Sequence, residues 1–279
     1  MSRQNSGGPP GVQRRKRGPR VRVLAIGDIV GRPGRRAFAQ LARDLARAHR
    51  VDFVIANCEN AAGGFGITPE VADELFDHGA HCLTSGNHIW KHRTIYEYID
   101  REPRLLRPAN FPDGTPGNGY GVYRWSGGKI AVINVMGNAG LEPLECPFRT
   151  FDHLYRDARL ETPLVVVDFH AESTSEKGTL AHYADGRASL VFGTHTHVQT
   201  ADERILPGGT AFITDLGMTG PEDSVIGVAK EVMVQRFLTR MPMRFDVPDL
   251  PGLLCGVVAD LDPATGRAVD VKRVQERAR

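Results

Sequence analysis

Short apolar runs recur through the chain, and five of them lead into side chains that can ligate a metal. Val21 to Ile26 leads to Asp28, and Asp52 to Ala56 leads to Glu59 and Asn60. His81 to Thr84 leads to Asn87 and His88, Leu164 to Phe169 to His170, and Ala188 to Phe192 to His195 and His197. Runs this short, bounded by glycine and polar residues, fit buried strands better than helices. Helical patterns separate the first three. Residues 34–49 place Phe38, Leu41, Leu45 and Ala48 on one stripe. Thr68-Pro69-Glu70 reads as the N-cap, first position and acidic first turn of a helix that Gly79 closes. A β-α-β-α-β opening implies a parallel sheet with helices packed against it.

The second half alternates differently. Tyr120–Trp125 and Lys129–Val135 flank Ser126-Gly127-Gly128 as a hairpin, and Thr210–Thr214 forms a further strand. Gly252–Leu261 and Ala268–Val274 pair as a terminal hairpin. There is no repeat and no Pro/Ser-rich linker. The expectation is a single α/β domain over residues 21–279, with two packed mixed β-sheets flanked by helices.

In open α/β sheets the carboxyl ends of strands face one crevice, where ligands bind. Alone, His195-Thr196-His197 fits a pair of solvated loop histidines. Joined by Asp28, Glu59, Asn60, Asn87 and His170, all at strand ends, it becomes part of one candidate site. Carboxylates, amide carbonyls and imidazoles without thiolate suit Fe, Mn or Zn better than Ca²⁺ or a structural zinc site. Seven ligands exceed one tetrahedral ion but suffice for two metals sharing a carboxylate.

Composition excludes other classes. No apolar stretch is long enough to span a bilayer, and no apolar core follows the charged N-terminus as in a secretory signal. Cys58, Cys82, Cys146 and Cys255 lie far apart with no Cys-x-x-Cys, which argues for a reducing, cytoplasmic setting. The net charge of +2 conceals a basic start, with Arg3, Arg14, Arg15, Lys16, Arg17 and Arg20 among Gly, Pro, Ser and Gln. Residues 1–20 read as a disordered basic tail that could touch RNA phosphates, although a solvated extension is the simpler reading. The remaining body is mildly acidic.

Asp28, Asn57-Cys58-Glu59-Asn60, Gly86-Asn87-His88, His170 and Gly193-Thr194-His195-Thr196-His197 resemble the ordered motifs of calcineurin-like metallophosphoesterases. The usual Asp-x-His opening is here Asp28-Ile29-Val30, so one imidazole is missing, and Glu59 stands where a bridging Asp is usual. That departure is similar to the YmdB-like bacterial branch, in which Glu bridges and the following Asn replaces the missing His. Gly64, Gly66-Ile67-Thr68, Phe169-His170-Ala171-Glu172 and Asp215-Leu216-Gly217-Met218-Thr219-Gly220 look like the same branch. The resemblance runs from about residue 21 to the terminal hairpin and leaves the tail outside it.

The resemblance implies a four-layer metallophosphoesterase sandwich and a dinuclear centre. Asp28, Glu59, Asn60 and His197 would hold one metal; Glu59, Asn87, His170 and His195 would hold the other. Fe or Mn is expected, with Zn compatible. His88 is the candidate general acid for the leaving group, its alternatives being a further ligand or a supporting donor. The implied activity is hydrolysis of a small phosphodiester, a 2′,3′-cyclic nucleotide foremost, by metal-bridged hydroxide attack on phosphorus. A broad phosphomonoesterase, an RNA-binding regulator with a secondary metal site and a metal-stabilised scaffold are the alternatives, and a homo-oligomer is compatible with each. Lys91, His92, the Gly63–Gly66 loop, Glu172, Lys177 and Asp215 carry weaker signals. A solvated helix start is the simpler reading of Lys91 and His92, and a charged surface helix that of Glu172 and Lys177. A flexible lid or tight turn explains the glycine loop, and a turn cap Asp215, equally well.

Overall fold

The computed structural model describes residues 20–278. The basic tail, and any RNA contact through it, lies outside those residues except for Arg20, whose guanidinium meets Asp260 at 3.3 Å. Strand β1 (Val21–Ile26) passes through Gly27 into the two-residue β2 (Asp28–Ile29) and then helix α1 (Gly31–His49). Strand β3 (Phe53–Asn57), helix α2 (Pro69–Asp77), strand β4 (Cys82–Thr84) and helix α3 (Ile95–Arg101) complete the first unit. β1, β3 and β4 are parallel. Thr68 caps α2 by accepting from Val71 N, with Pro69 at its first position.

Strand β5 (Tyr120–Trp125) and β6 (Gly128–Met136) form the hairpin, followed by α4 (Pro147–Glu161) and β7 (Val165–His170). Then come α5 (Thr174–Tyr183), β8 (Leu190–Thr194), β9 (Arg204–Ile205) and β10 (Ala211–Ile213). The chain next crosses back through β11 (Met218–Pro221) and α6 (Lys230–Thr239), a helix with no buried residue. It ends on the hairpin β12 (Gly252–Leu261) and β13 (Ala268–Arg277). One sheet runs β2-β11-β12-β1-β3-β4 with β13 paired to β12, and the other runs β5-β6-β7-β8-β10-β9. Both mix parallel and antiparallel pairs.

Three apolar layers hold these sheets. Val21, Val23 and Ala25 of β1 face Val132, Val166 and Phe192 of the other sheet, while Leu24 and Ile26 face Phe38 of α1. On the far side, Val165, Val167 and Phe169 of β7 pack under Phe151 of α4 and Leu180 of α5. Alternate strand residues point to opposite faces, so one run of valines feeds two layers. The result is the four-layer arrangement of helices, sheet, sheet and helices.

Boundaries differ from expectation in places. Helix α1 starts at Gly31 rather than residue 34, because Pro33 falls in the first turn, where its missing N–H costs nothing. Strand β13 runs on to Arg277. Its outer face is polar, so the hydrophobic alternation that marks a strand fades before the pairing with β12 ends. Among the described residues, no helix is long and apolar enough to cross a membrane.

Gly27 sets the site's geometry: a Cβ there would lie 1.8 Å from Gly217 O, so only glycine lets β1 turn beside the segment that leads into β11. Phe192 is buried between the two sheets. Phe192→Ala is expected to cost about 3–5 kcal/mol, read as a lower midpoint in urea unfolding with the slope unchanged.

Candidate metal centre

The carboxyl ends of β1, β3, β4, β7 and β8 deliver their polar residues to one crevice between the sheets. Asp28, Glu59 and His170 are fully buried there, Asn60 is nearly so, and Asn87 and His88 are partly exposed. The ligand atoms of Glu59, His170 and His195 all lie within 4.8 Å of one another, an arrangement able to hold a metal ion. Asn87 Oδ1 joins them, 3.1 Å from His170 Nε2. His197 lies with a different set, its Nε2 3.1 Å from Asn60 Nδ2 and 3.9 Å from Asp28 Oδ1. Glu59 stands between the sets, with Oε2 2.9 Å from His170 Nε2 and Oε1 2.9 Å from His88 Nδ1. His88 Nδ1 also lies 2.8 Å from Asn60 Oδ1.

Those short distances around Glu59 lack hydrogen-bond alignment, and both of its buried oxygens are left without a hydrogen-bonded donor. An unsatisfied buried carboxylate is costly, so its oxygens call for a cation at the point where the ligands converge. Gly86 preserves that space. A Cβ on it would lie 1.8 Å from Glu59 Oε2 and 2.2 Å from the His170 ring. The donor set of carboxylates, amides and imidazoles therefore fits a metal centre.

The electrostatics agree. Burial would push the Glu59 carboxyl up, but the His170 and His88 rings facing it hold it well below the usual carboxylate range. Burial alone would lower His170, yet Glu59 and Asp28 beside it push it up to about 9. His195 is drawn down to about 3 by burial and the neighbouring His170, which keeps its ring neutral with lone pairs for ligation. Asp28 is raised by burial.

Residues behind the ligands fix their orientation. His170 Nδ1 lies 2.9 Å from Thr194 Oγ1, and that hydroxyl donates to Asp168 Oδ1 at 2.7 Å. The ring thus donates through Nδ1, which fixes its orientation with Nε2 facing Glu59 and Asn87. Asp168 also accepts from Thr84 Oγ1 and from Asn57 Nδ2, while Asn57 Oδ1 receives Glu59 N. Burial raises Asp168 to about 6. Asp168, and a supporting role for Thr194, are not among the sequence-based expectations; the single carboxylate inside Val165-Val166-Val167-Asp168-Phe169 is the signal that marks them.

The His195–His197 segment carries backbone strain, with φ of 92° and 67° at its two histidines. Such left-handed conformations outside glycine cost about 1–3 kcal/mol each and persist only where surroundings impose them. His195 N donates to Asp28, His197 Nδ1 lies 2.9 Å from Ile226 O, and Met218 N donates to His197 O. Between them, Thr196 donates through both N and Oγ1 to Asp215 Oδ2. Lys177 Nζ meets the same oxygen at 2.6 Å. Lys177 is thus no surface charge on a helix: it is 1% exposed and clamps the histidine segment through Asp215.

Glu172 lies at the rim, its Oε2 3.2 Å from His195 Nε2. His92 donates through Nε2 to Phe65 O over 2.9 Å, and Lys91 remains exposed. Gly63, Gly64 and Gly66 all have positive φ, so that loop is a sequence of tight turns. His81 is structural, since its Nδ1 accepts from Val54 N.

A family model described as YmdB-like protein matches residues 24–274. The chain is 48% identical over 254 residues to a 2′,3′-cyclic-nucleotide 2′-phosphodiesterase of Bacillus subtilis (strain 168), covering 91% of this chain and 96% of that protein. A crystal structure of a hypothetical protein from Thermus thermophilus superposes with a TM-score of 0.87 at 39% identity, over 92% of this chain and 99% of that one. The crystal structure of a phosphatase from Mycoplasma pneumoniae gives 0.87 at 31% identity, over 93% and 94%.

Thr194→Val keeps the shape of the side chain and removes the hydroxyl between His170 and Asp168. Metal affinity is expected to fall roughly 10- to 100-fold with folding retained, measured by titration of metal into stripped protein followed by circular dichroism.

Proposed function

The chain belongs to the YmdB-like protein family, and from that premise we propose that it is a metal-dependent phosphodiesterase that opens 2′,3′-cyclic nucleotides. The observation that carries this proposal is the buried Glu59 carboxylate, whose two oxygens lie between two sets of ligand-type side chains without an aligned donor. Asp28, Asn60 and His197 would hold one ion on one side of it, and Asn87, His170 and His195 a second on the other. Fe or Mn suits these donors best, and Zn is compatible. When bound, the two cations would neutralise the phosphate oxygens and lower the pKa of the attacking water.

The chain's own residues supply the rest. The crevice admits a phosphate on its open side, where His88 lines the pocket with His195 and His197. His88 donates through Nδ1 to Asn60 Oδ1, so the ring would act as the acid in its imidazolium form, giving the Nε2 proton to the departing 2′ oxygen and returning to neutral imidazole. Thr194 and Asp168 hold the His170 ring, and Lys177 and Asp215 hold the segment bearing His195 and His197, so the site needs little rearrangement as charge develops. Breaking the bond from phosphorus to the 2′ oxygen and adding water leaves a 3′-phosphomonoester, which carries one more negative charge than the substrate.

A broad phosphomonoesterase would use the same side chains, so substrate preference decides between them. With Mn²⁺ loaded, bis-p-nitrophenyl phosphate should be turned over faster than p-nitrophenyl phosphate, and 2′,3′-cyclic nucleotides should be hydrolysed. A clearly faster monoester would overturn the diesterase assignment. Glu59→Gln should lower bound metal and reduce kcat at least about 100-fold, read by elemental analysis beside the activity.

A further inference from the structure

The open side of the crevice is unlike its floor. A pocket of about 300 Å³ leads to His88, His195 and His197, and its wall is apolar: Val30, Phe65, Ile226, Val228, Phe245 and Val247. Phe65 is 39% exposed and Ile226 47%, an arrangement that leaves apolar side chains wet at the mouth of a charged site. Apolar walls beside a few placed polar groups are the mark of a small-molecule cavity, and this volume lies at the small end of that class.

The wall is built, not incidental. Phe65 meets the His88 ring edge-on, with centroids 5.1 Å apart at 81°, so its plane is set relative to the candidate acid. The Arg236 guanidinium covers the Phe245 ring at 4.6 Å and holds it in place. Val247 packs onto the glycine loop, where a Cβ on Gly64 would come within 2.7 Å of it. The Ile226 carbonyl lies 2.9 Å from His197 Nδ1, which ties the wall to the metal ligands.

Polar side chains of the lining are already engaged. Asn60 is held between His88 and His197, Thr196 donates to Asp215, and Glu172 faces His195. Asn60 and Thr196 are thus committed inside the site, and Glu172, its side chain 57% exposed, stands at the rim outside the apolar wall. A flat aromatic ligand is what two fixed phenyl rings beside a phosphate site accommodate, and stacking on aromatic side chains tolerates every base because each has a π-face.

We propose that this wall is a nucleobase slot that seats the base by stacking and shape without reading its edge. The slot rests on the assignment of the crevice to cyclic nucleotides. It predicts base tolerance together with a strong need for some base.

The test compares 2′,3′-cyclic AMP, GMP, CMP and UMP with the base-free methyl riboside 2′,3′-cyclic phosphate on the Mn²⁺-loaded enzyme. The four nucleotides should agree in kcat/KM within about threefold, and the base-free diester should be lower by roughly five- to a hundredfold, chiefly through KM. Phe65→Ala and the milder Phe245→Leu should each shrink that gap. Equal turnover with and without a base, more than about twentyfold preference for one base, or an unchanged gap in both variants would overturn the slot while leaving the diesterase intact. If no cyclic diester is hydrolysed, the diesterase assignment fails instead. The slot is then decided by calorimetric binding of adenosine 3′-phosphate against methyl riboside 3-phosphate, where equal affinities would refute it.

Discussion

The fold exists around a carboxylate that has no hydrogen-bonded donor. Glu59 is fully buried between two sheets, and both of its oxygens face ring nitrogens that approach to 2.9 Å without alignment. Removing an ionised carboxylate from water is expensive unless a cation or donors replace the hydration. The charge on His170 meets part of that cost, and the pairing holds Glu59 low and His170 high. A metal centre would take over the same role. The arrangement around it follows from where strands end: β3 brings Glu59, β4 brings Asn87 and His88, and β7 and β8 bring the histidines.

Two polar supports keep these ends from relaxing. Asp168, Thr84, Thr194 and Asn57 form a buried hydrogen-bonded group that links β3, β4, β7 and β8 across the junction of the two sheets. Lys177 and Asp215 form a buried ion pair that holds Thr196, the residue between two histidines in strained left-handed conformations. Breaking such a pair leaves an uncompensated charge inside the protein. The strain at His195 and His197 is therefore a property of the whole crevice, and it aims two neighbouring rings at different carboxylates. His195 lies with Glu59, and His197 lies nearer Asp28.

Much of this was legible in the sequence, for definite reasons. The parallel opening was visible because apolar runs ended at glycine and polar residues, and the helix over Pro69–Asp77 because Thr68, Pro69 and Glu70 form a start signal. The convergence of Asp28, Glu59, Asn60, Asn87, His88, His170, His195 and His197 on one crevice followed from their place at strand ends. Other features were hidden. Lys177 lies on a helix whose apolar residues show no clear stripe, so nothing local marks it as buried. Asp168 and Thr194 carry their meaning only through residues far along the chain. The apolar wall joins Val30, Phe65, the turn at Ile226 and the segment at Phe245, four places with no shared local pattern.

The central claim is a two-metal centre that shares Glu59 and divides His195 from His197. The most direct measurement is a crystal structure of the Mn²⁺-loaded protein, with the ions located by anomalous scattering. The account predicts two peaks about 3.5–4 Å apart, both touching Glu59, with His195 on one and His197 on the other. A single peak, or both rings on one ion, would contradict it.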